Sequence, residues 1–283
     1  MEYFTTTVDR IIFNFTAKCN LPCRFCYIPF DNSRVDIALS RDVIAKCKKF
    51  KPRIIVFGGG DPFLYQGFRD LLRFTHDGNT FIHVDTNALA LHPRDVPLIK
   101  ECTNQIGLPL DGSKISHNGI RHNPKHFDVV LKWMELLLAE NKRIKINTVV
   151  NKANRHEIPK LANILQQYPI SQWCLYQFWP LASGYQNRAE FGISYQEFLD
   201  AVLPVKQAFT FTDIDISSVA ERIGSHFFVS HSGLVYTEGI DNISEYTRLG
   251  SIFESDIVEK WQRCNDQAKM ITRASRRISA KES

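Results

Sequence analysis

Three cysteines fall within eight residues, in the run Cys19, Asn20, Leu21, Pro22, Cys23, Arg24, Phe25, Cys26. Thiolates are soft ligands that suit zinc and iron-sulfur sites, so this grouping is a candidate metal centre. A structural zinc takes four protein ligands, and no fourth Cys or His stands near; the closest histidine is His76. Three thiolates suit a [4Fe-4S] cluster, with one iron left open to bind another molecule. A zinc site with a distant fourth ligand, or three unrelated thiols, stays open on these residues alone. The other cysteines, Cys47, Cys102, Cys174 and Cys264, are scattered, and the total of seven is odd. A secreted disulfide scaffold would be shorter and denser in cysteine, so the pattern implies a reducing, cytoplasmic setting.

The elements that position this triad follow from the apolar pattern. Residues 11–15 read as a strand that ends just before it. Further strands are expected over 54–57, 81–84, 105–110, 145–150 and 173–178, with helices over 40–50, 65–74, 96–102, 127–140 and 158–165. Strand and helix alternating six times implies a parallel sheet with right-handed crossovers. Six units are too few for a closed eight-stranded barrel, so the expected fold is α/β, a partial (β/α)6 barrel over residues 1–185. Functional residues then belong at the C-terminal ends of the strands. Residues 186–268 read as an α+β extension packed on the barrel. It holds capping boxes at Ser194–Glu197 and Ser218–Glu221 and a hairpin over 227–236.

Charge and composition narrow the function class. The net charge is +5, but residues 269–283 hold Lys269, Arg273, Arg276, Arg277 and Lys281 against Glu282, which leaves +1 for the rest. A nearly neutral body with a basic, solvated tail argues against nucleic acid as a partner. No apolar run approaches the roughly 18 residues of a membrane span, and the start lacks the basic and apolar regions of a secretory signal.

The triad, followed by the aromatic Tyr27, resembles the Cys-x3-Cys-x2-Cys motif of the radical S-adenosylmethionine (radical SAM) superfamily. The resemblance implies a [4Fe-4S] cluster on Cys19, Cys23 and Cys26, with S-adenosylmethionine chelating the open iron. Reductive cleavage then yields a 5′-deoxyadenosyl radical that takes hydrogen from a substrate. It also implies an electron donor such as flavodoxin or ferredoxin. Gly59, Gly60, Asp61 and Pro62 are similar to the family's Gly-Gly-Glu-Pro, with Asp for Glu, and would meet the methionine ammonium. Asn87 matches a Ser/Thr-Asn-Gly element, with Ala88 in place of Gly. Asp111 and the run Asn118 to Arg121 match a further element, although Pro109 stands where relatives carry Ser. Arg121 is the candidate for the cofactor carboxylate, since guanidinium pairs well with carboxylate.

A second resemblance is to the viperin-like family, which acts on nucleoside triphosphates. Lys145, Ile146, Asn147, Val149 and Asn151 match one of its strands, and Trp173 and Gln177 match another. This implies Asn147 near the cofactor ribose and Lys145 at substrate phosphates, with Tyr176 and Gln177 beside the substrate. The second strand's lysine is Cys174 here, which favours a small-molecule substrate with fewer phosphates. Two alternatives stand beside it. One is a peptide- or carbohydrate-modifying radical enzyme, with Tyr176, Phe178, Trp179 and His117 around the substrate and too few distal cysteines for auxiliary clusters. The other is a non-catalytic iron-sulfur binding protein.

Overall fold

The computed structural model describes residues 8–28, 34–240 and 242–265. The basic tail over 269–283 lies outside them. Six strands form the core: β1 (Arg10–Thr16), β2 (Ile54–Gly59), β3 (Phe81–Asp85), β4 (Gln105–Pro109), β5 (Arg143–Val150) and β6 (Gln172–Gln177). Between them run α1 (Ile37–Lys49), α2 (Phe68–Thr75), α3 (Val96–Cys102), α4 (Lys114–Arg121), α5 (His126–Ala139) and α6 (Ile158–Leu165). After β6 come α7 (Ser183–Gln186), α8 (Arg188–Phe191), α9 (Tyr195–Ala208), β7 (Asp213–Ser217) and α10 (Val219–Arg222). The described chain closes with β8 (Phe227–Ser230), β9 (Leu234–Glu238), β10 (Tyr246–Ser251) and α11 (Ile257–Cys264).

All ten strands share one sheet, in the order β10-β9-β8-β1-β2-β3-β4-β5-β6-β7. The six-unit partial barrel is therefore present. The residues after 185 add to its sheet at both edges: β7 pairs parallel with β6, and β8 pairs parallel with β1. The hairpin expected over 227–236 is β8 and β9. Strand β7 was not expected, because Asp213-Ile214-Asp215-Ile216-Ser217 is short and carries two acids in its five residues. The parallel strands read as near-continuous apolar runs because helices cover their outer face. Phe13, Phe57, Phe68 and Trp173 are fully buried there.

Local chemistry explains the helix ends. Both expected capping boxes are present, at Ser194 with Glu197 and at Ser218 with Glu221. Helix α1 starts earlier than expected. Asp36, not Ser40, accepts from the N–H groups of Ala38 and Leu39, while the Ser40 hydroxyl turns back to the Asp36 carbonyl. A cap of this kind is worth about 1 kcal/mol.

Register sets which side chains share a level inside the barrel. Asp85 pairs with Gly107, and Gly107 with Lys145. Two residues on, and so on the same face, Pro109 pairs with Asn147 and Asn147 with Cys174. The second level lies nearer the rim where the parallel strands end.

Candidate active site

The three cysteines lie on the loop that leaves β1 and line a cavity of about 250 Å³ at this rim. The glycines after β2 hold the root of that loop. A Cβ on Gly60 would lie 1.9 Å from the Lys18 carbonyl oxygen, and one on Gly59 2.2 Å from that of Thr16. Gly60 N–H donates to the Thr16 carbonyl at 2.6 Å and Asp61 N–H to that of Lys18 at 3.0 Å. The glycine run thus lets two backbones touch, a closer constraint than the ligand approach expected from the sequence.

The donor set fits an iron-sulfur cluster. Asn87 Nδ2 points at Cys19 Sγ from 3.4 Å, and an Arg121 guanidinium nitrogen lies 3.9 Å from Cys23 Sγ. Burial pushes the Cys19 and Cys23 thiols up and takes Cys26 to about 12. Such thiols hold their protons until a metal displaces them. Among the described residues no group of three or more His, Cys, Asp or Glu side chains is arranged to hold a single metal ion. A four-iron cluster needs thiolates set apart around it rather than converging on one atom.

Asp61 does not line the cavity. Its carboxylate is fully buried behind the wall, accepting from Phe63 N–H at 3.0 Å, the Thr86 hydroxyl at 2.8 Å and Asn87 N–H at 2.9 Å. Burial pushes its carboxyl up to about 6 despite these donors. The direct cofactor contact expected of this acid is therefore corrected: Asp61 braces the turn that carries Asn87. His117 is corrected in the same way. It is fully buried outside the cavity, its Nδ1 accepting from Asp111 N–H at 3.1 Å and its Nε2 2.8 Å from His126 Nδ1. His126 Nε2 in turn donates to the Asn87 carbonyl at 2.8 Å, which fixes both rings as neutral Nε2–H tautomers.

The remaining expected residues do meet at the cavity. Tyr27, Gly59, Gly60, Asn87, Arg121, Lys145, Asn147, Tyr176 and Gln177 all line it. Arg121 is held by Asp111 at 2.6 Å and lies over the Phe25 ring. Asn147 donates to Asp85 at 2.7 Å, and its buried Oδ1 has no partner. A buried acceptor without a donor is an unmet demand for a hydrogen bond. Lys145 is 4% exposed and donates to the Tyr176 hydroxyl at 3.0 Å. Burial opposes its charge, but the facing Cys174, Tyr176 and Asp85 outweigh that and push its pKa up. Gln177 has its amide committed to the Ile193 carbonyl and to Val219 N–H, so its role at the wall is to hold α10.

Sequence reasoning missed Arg222, Glu238 and Tyr246, which reach the cavity from α10, β9 and β10. Arg222 lies 5.6 Å from the Tyr176 ring centroid and 5.0 Å from that of Trp179. The Ser218 capping box, which starts the short helix ending in Arg222, and the hairpin over 227–236 marked that region without singling out these residues. Tyr246 donates its hydroxyl to the Tyr27 carbonyl at 2.7 Å, closing β10 onto the cysteine loop.

A partial parallel barrel with a cysteine triad after its first strand defines a class. The chain belongs to the radical SAM superfamily, whose family model matches residues 13–165, just over half its length. It is thus an enzyme of the kind that uses a [4Fe-4S] cluster and S-adenosylmethionine. Among curated relatives it is 23% identical over 171 residues to the Fe-coproporphyrin III synthase of Methanosarcina barkeri, covering 59% of this chain and 43% of that protein. It is 24% identical over 260 residues to an S-adenosylmethionine-dependent nucleotide dehydratase of Selenomonas ruminantium, covering 87% of this chain and 91% of that one. The chain spans 43%, 54% and 58% of the first three curated relatives it matches. Streptococcus suis SuiB has a similar fold, with a TM-score of 0.71, 14% identity and coverage of 90% of this chain and 66% of that one. No helix among the described residues is long and apolar enough to cross a membrane.

Proposed function

We propose that this enzyme acts on a nucleotide. The observation that carries the reading is similarity along nearly the whole of both chains to the Selenomonas nucleotide dehydratase, unlike the partial matches to haem-pathway relatives. The cavity supports it. Lys145 and Arg222 both lie 5.6 Å from the Tyr176 ring centroid, so a second cation stands beside the tyrosine that Lys145 contacts. Two cations suit a substrate with few phosphates better than one with a full triphosphate charge.

In this reading Cys19, Cys23 and Cys26 hold the cluster, and a flavodoxin- or ferredoxin-type donor reduces it. Together the cluster and S-adenosylmethionine supply reductive cleavage of the sulfonium and a hydrogen-abstracting radical. The chain's own groups bind and orient. Asn87, braced by Asp61, sets a donor beside Cys19. Asn147 offers Oδ1 to a ribose hydroxyl. Arg121 balances the negative charge that gathers at the thiolates. Tyr27 and Tyr246 close the cavity over the loop. Lys145 and Arg222 take the anionic end of the substrate.

The test is anaerobic turnover of the reconstituted enzyme with ribonucleoside mono-, di- and triphosphates, and with peptides as the competing class. Nucleotide-dependent 5′-deoxyadenosine, lost in Lys145→Ala while slow uncoupled cleavage persists, is the expected outcome. Stimulation by peptides alone sinks the reading.

A further inference from the structure

The level of the barrel below Asn147 carries a carboxylate that neither the sequence motifs nor the cysteine loop account for. Asp85, at the end of β3, keeps 37% of its side chain exposed, and that surface lines the cavity. Its Oδ1 accepts from two sides, from His83 Nε2 at 2.8 Å and from Asn147 Nδ2 at 2.7 Å. Its Oδ2 makes no hydrogen bond among the described residues.

The surrounding residues are arranged to keep it there. Gly107 faces Asp85 across β3 and β4, and a Cβ on Gly107 would lie 1.9 Å from Asp85 Oδ1, 2.9 Å from His83 Nε2 and 3.0 Å from Asn147 Nδ2. The glycine vacates the space that the polar group occupies. Burial opposes ionisation of Asp85, but the charge His83 carries in acid and its hydrogen bond, the charge of Lys145 and the hydrogen bond from Asn147 outweigh it, so its carboxyl titrates below the usual carboxylate range. Burial also lowers His83, so at neutral pH the ring supplies an N–H rather than a charge. The other ring nitrogen, Nδ1, is buried without a partner.

An ionised carboxylate with one oxygen pinned and the other facing open space is an acceptor waiting for a donor. It repels phosphate, so phosphates are directed away from it, toward Lys145 and Arg222, which each lie 5.6 Å from the Tyr176 ring centroid. We propose that Asp85 is a specificity-determining residue that receives a hydroxyl or amino group of the substrate through Oδ2, at the floor of the barrel. This rests on the nucleotide reading above. It gives the cavity a polarity, with the uncharged donor-bearing part of the nucleotide at Asp85 and the anionic part at Lys145 and Arg222.

The experiment is equilibrium binding of ribonucleoside mono-, di- and triphosphates of the four common bases to the reconstituted, S-adenosylmethionine-loaded enzyme and to Asp85→Asn. The tightest-binding nucleotide is then compared on the unmutated enzyme with analogues lacking the 2′-hydroxyl, the 3′-hydroxyl or the exocyclic amine. This second series needs no variant to fold. A charge-assisted hydrogen bond predicts that Asp85→Asn loses at least about tenfold more affinity for the nucleotide than for S-adenosylmethionine. One analogue is expected to bind about tenfold more weakly to the unmutated enzyme and to be insensitive to the substitution. If nucleotides bind but no analogue differs, or the variant loses as much affinity for the cofactor as for the nucleotide, the assignment of Asp85 is overturned and the nucleotide reading stands. If no nucleotide binds at millimolar concentration, both fall.

Discussion

The backbone N–H of Asn87 donates to the buried carboxylate of Asp61 over 2.9 Å, tying the end of β3 to the end of β2. The same carboxylate takes the Thr86 hydroxyl and Phe63 N–H. Asp61 lines no part of the cavity, so its effect on cofactor binding is expected to run through Asn87. Asp61→Ala leaves three buried donors unmatched, at about 1–3 kcal/mol for each group left unsatisfied. Urea unfolding and S-adenosylmethionine titration of the same variant separate the roles. A loss of several kcal/mol in stability with a smaller loss in cofactor affinity is expected; the reverse ratio marks a direct ligand.

The cysteines divide cleanly by position. Cys19, Cys23 and Cys26 line the cavity, while Cys47 and Cys102 are buried among apolar side chains. Cys19→Ala, Cys23→Ala and Cys26→Ala together are expected to abolish iron binding, whereas Cys47→Ala, Cys102→Ala, Cys174→Ala and Cys264→Ala retain it. Iron and sulfide assay decides the matter, and a triple variant that still takes up four irons contradicts the assignment.

His126 gives a pH prediction. Burial, aided by the Arg121 charge, pushes its pKa from 6.5 down to about 4. A ring that titrates lower when folded contributes stability that is complete above about pH 6.5 and is lost as pH falls toward 4. The shift corresponds to about 3 kcal/mol. Asp61, pushed up, works in the opposite direction over much the same range, so the wild-type profile alone hides the effect. The cost of His126→Gln removes Asp61 from the comparison. It is expected to shrink by about 2–3 kcal/mol between pH 7 and pH 4, and a cost that stays constant rules the account out.

Ala88 holds a left-handed conformation at φ 68° where related sequences were expected to carry glycine. A Cβ there costs about 1–2 kcal/mol. Replacing it with glycine relieves that strain but exposes more unfolded-chain entropy, about 0.5–1 kcal/mol, and gives up a buried methyl worth about 0.8 kcal/mol. The terms nearly cancel. Ala88→Gly is therefore expected to change stability by less than about 1 kcal/mol, while Ala88→Val, β-branched at positive φ, destabilises clearly more. Paired urea titrations test the ordering.

Local pattern carried much of the fold. The triad, the six strand-helix units and both capping boxes rest on short-range spacing, and they are where spacing puts them. What spacing does not encode is which way a side chain turns. Asp61 and His117 sit at the expected places in the chain, yet the fold points one behind the cavity wall and the other toward His126. Nor does it encode pairing between distant segments. Ile11 lies beside Phe227 in the sheet, and nothing local to either residue says so. Arg222, Glu238 and Tyr246 were missed for that reason: they reach the cavity because β8 docks beside β1 and because α10 packs against the end of β6, pairings that no local pattern states.

That distance has a consequence in time. The Tyr236 hydroxyl accepts from Asn14, and the Tyr246 hydroxyl donates to the Tyr27 carbonyl. On a ribosome making the chain from its N-terminus, the three thiols emerge about two hundred residues before the strands that close over them. Until β8, β9 and β10 have been synthesised and docked, the cysteine loop lacks its cover. The newborn chain therefore passes through a stage in which its three clustered thiols are open to solvent and to any iron-sulfur carrier, and the fold shuts that window only once the strands about two hundred residues downstream have docked.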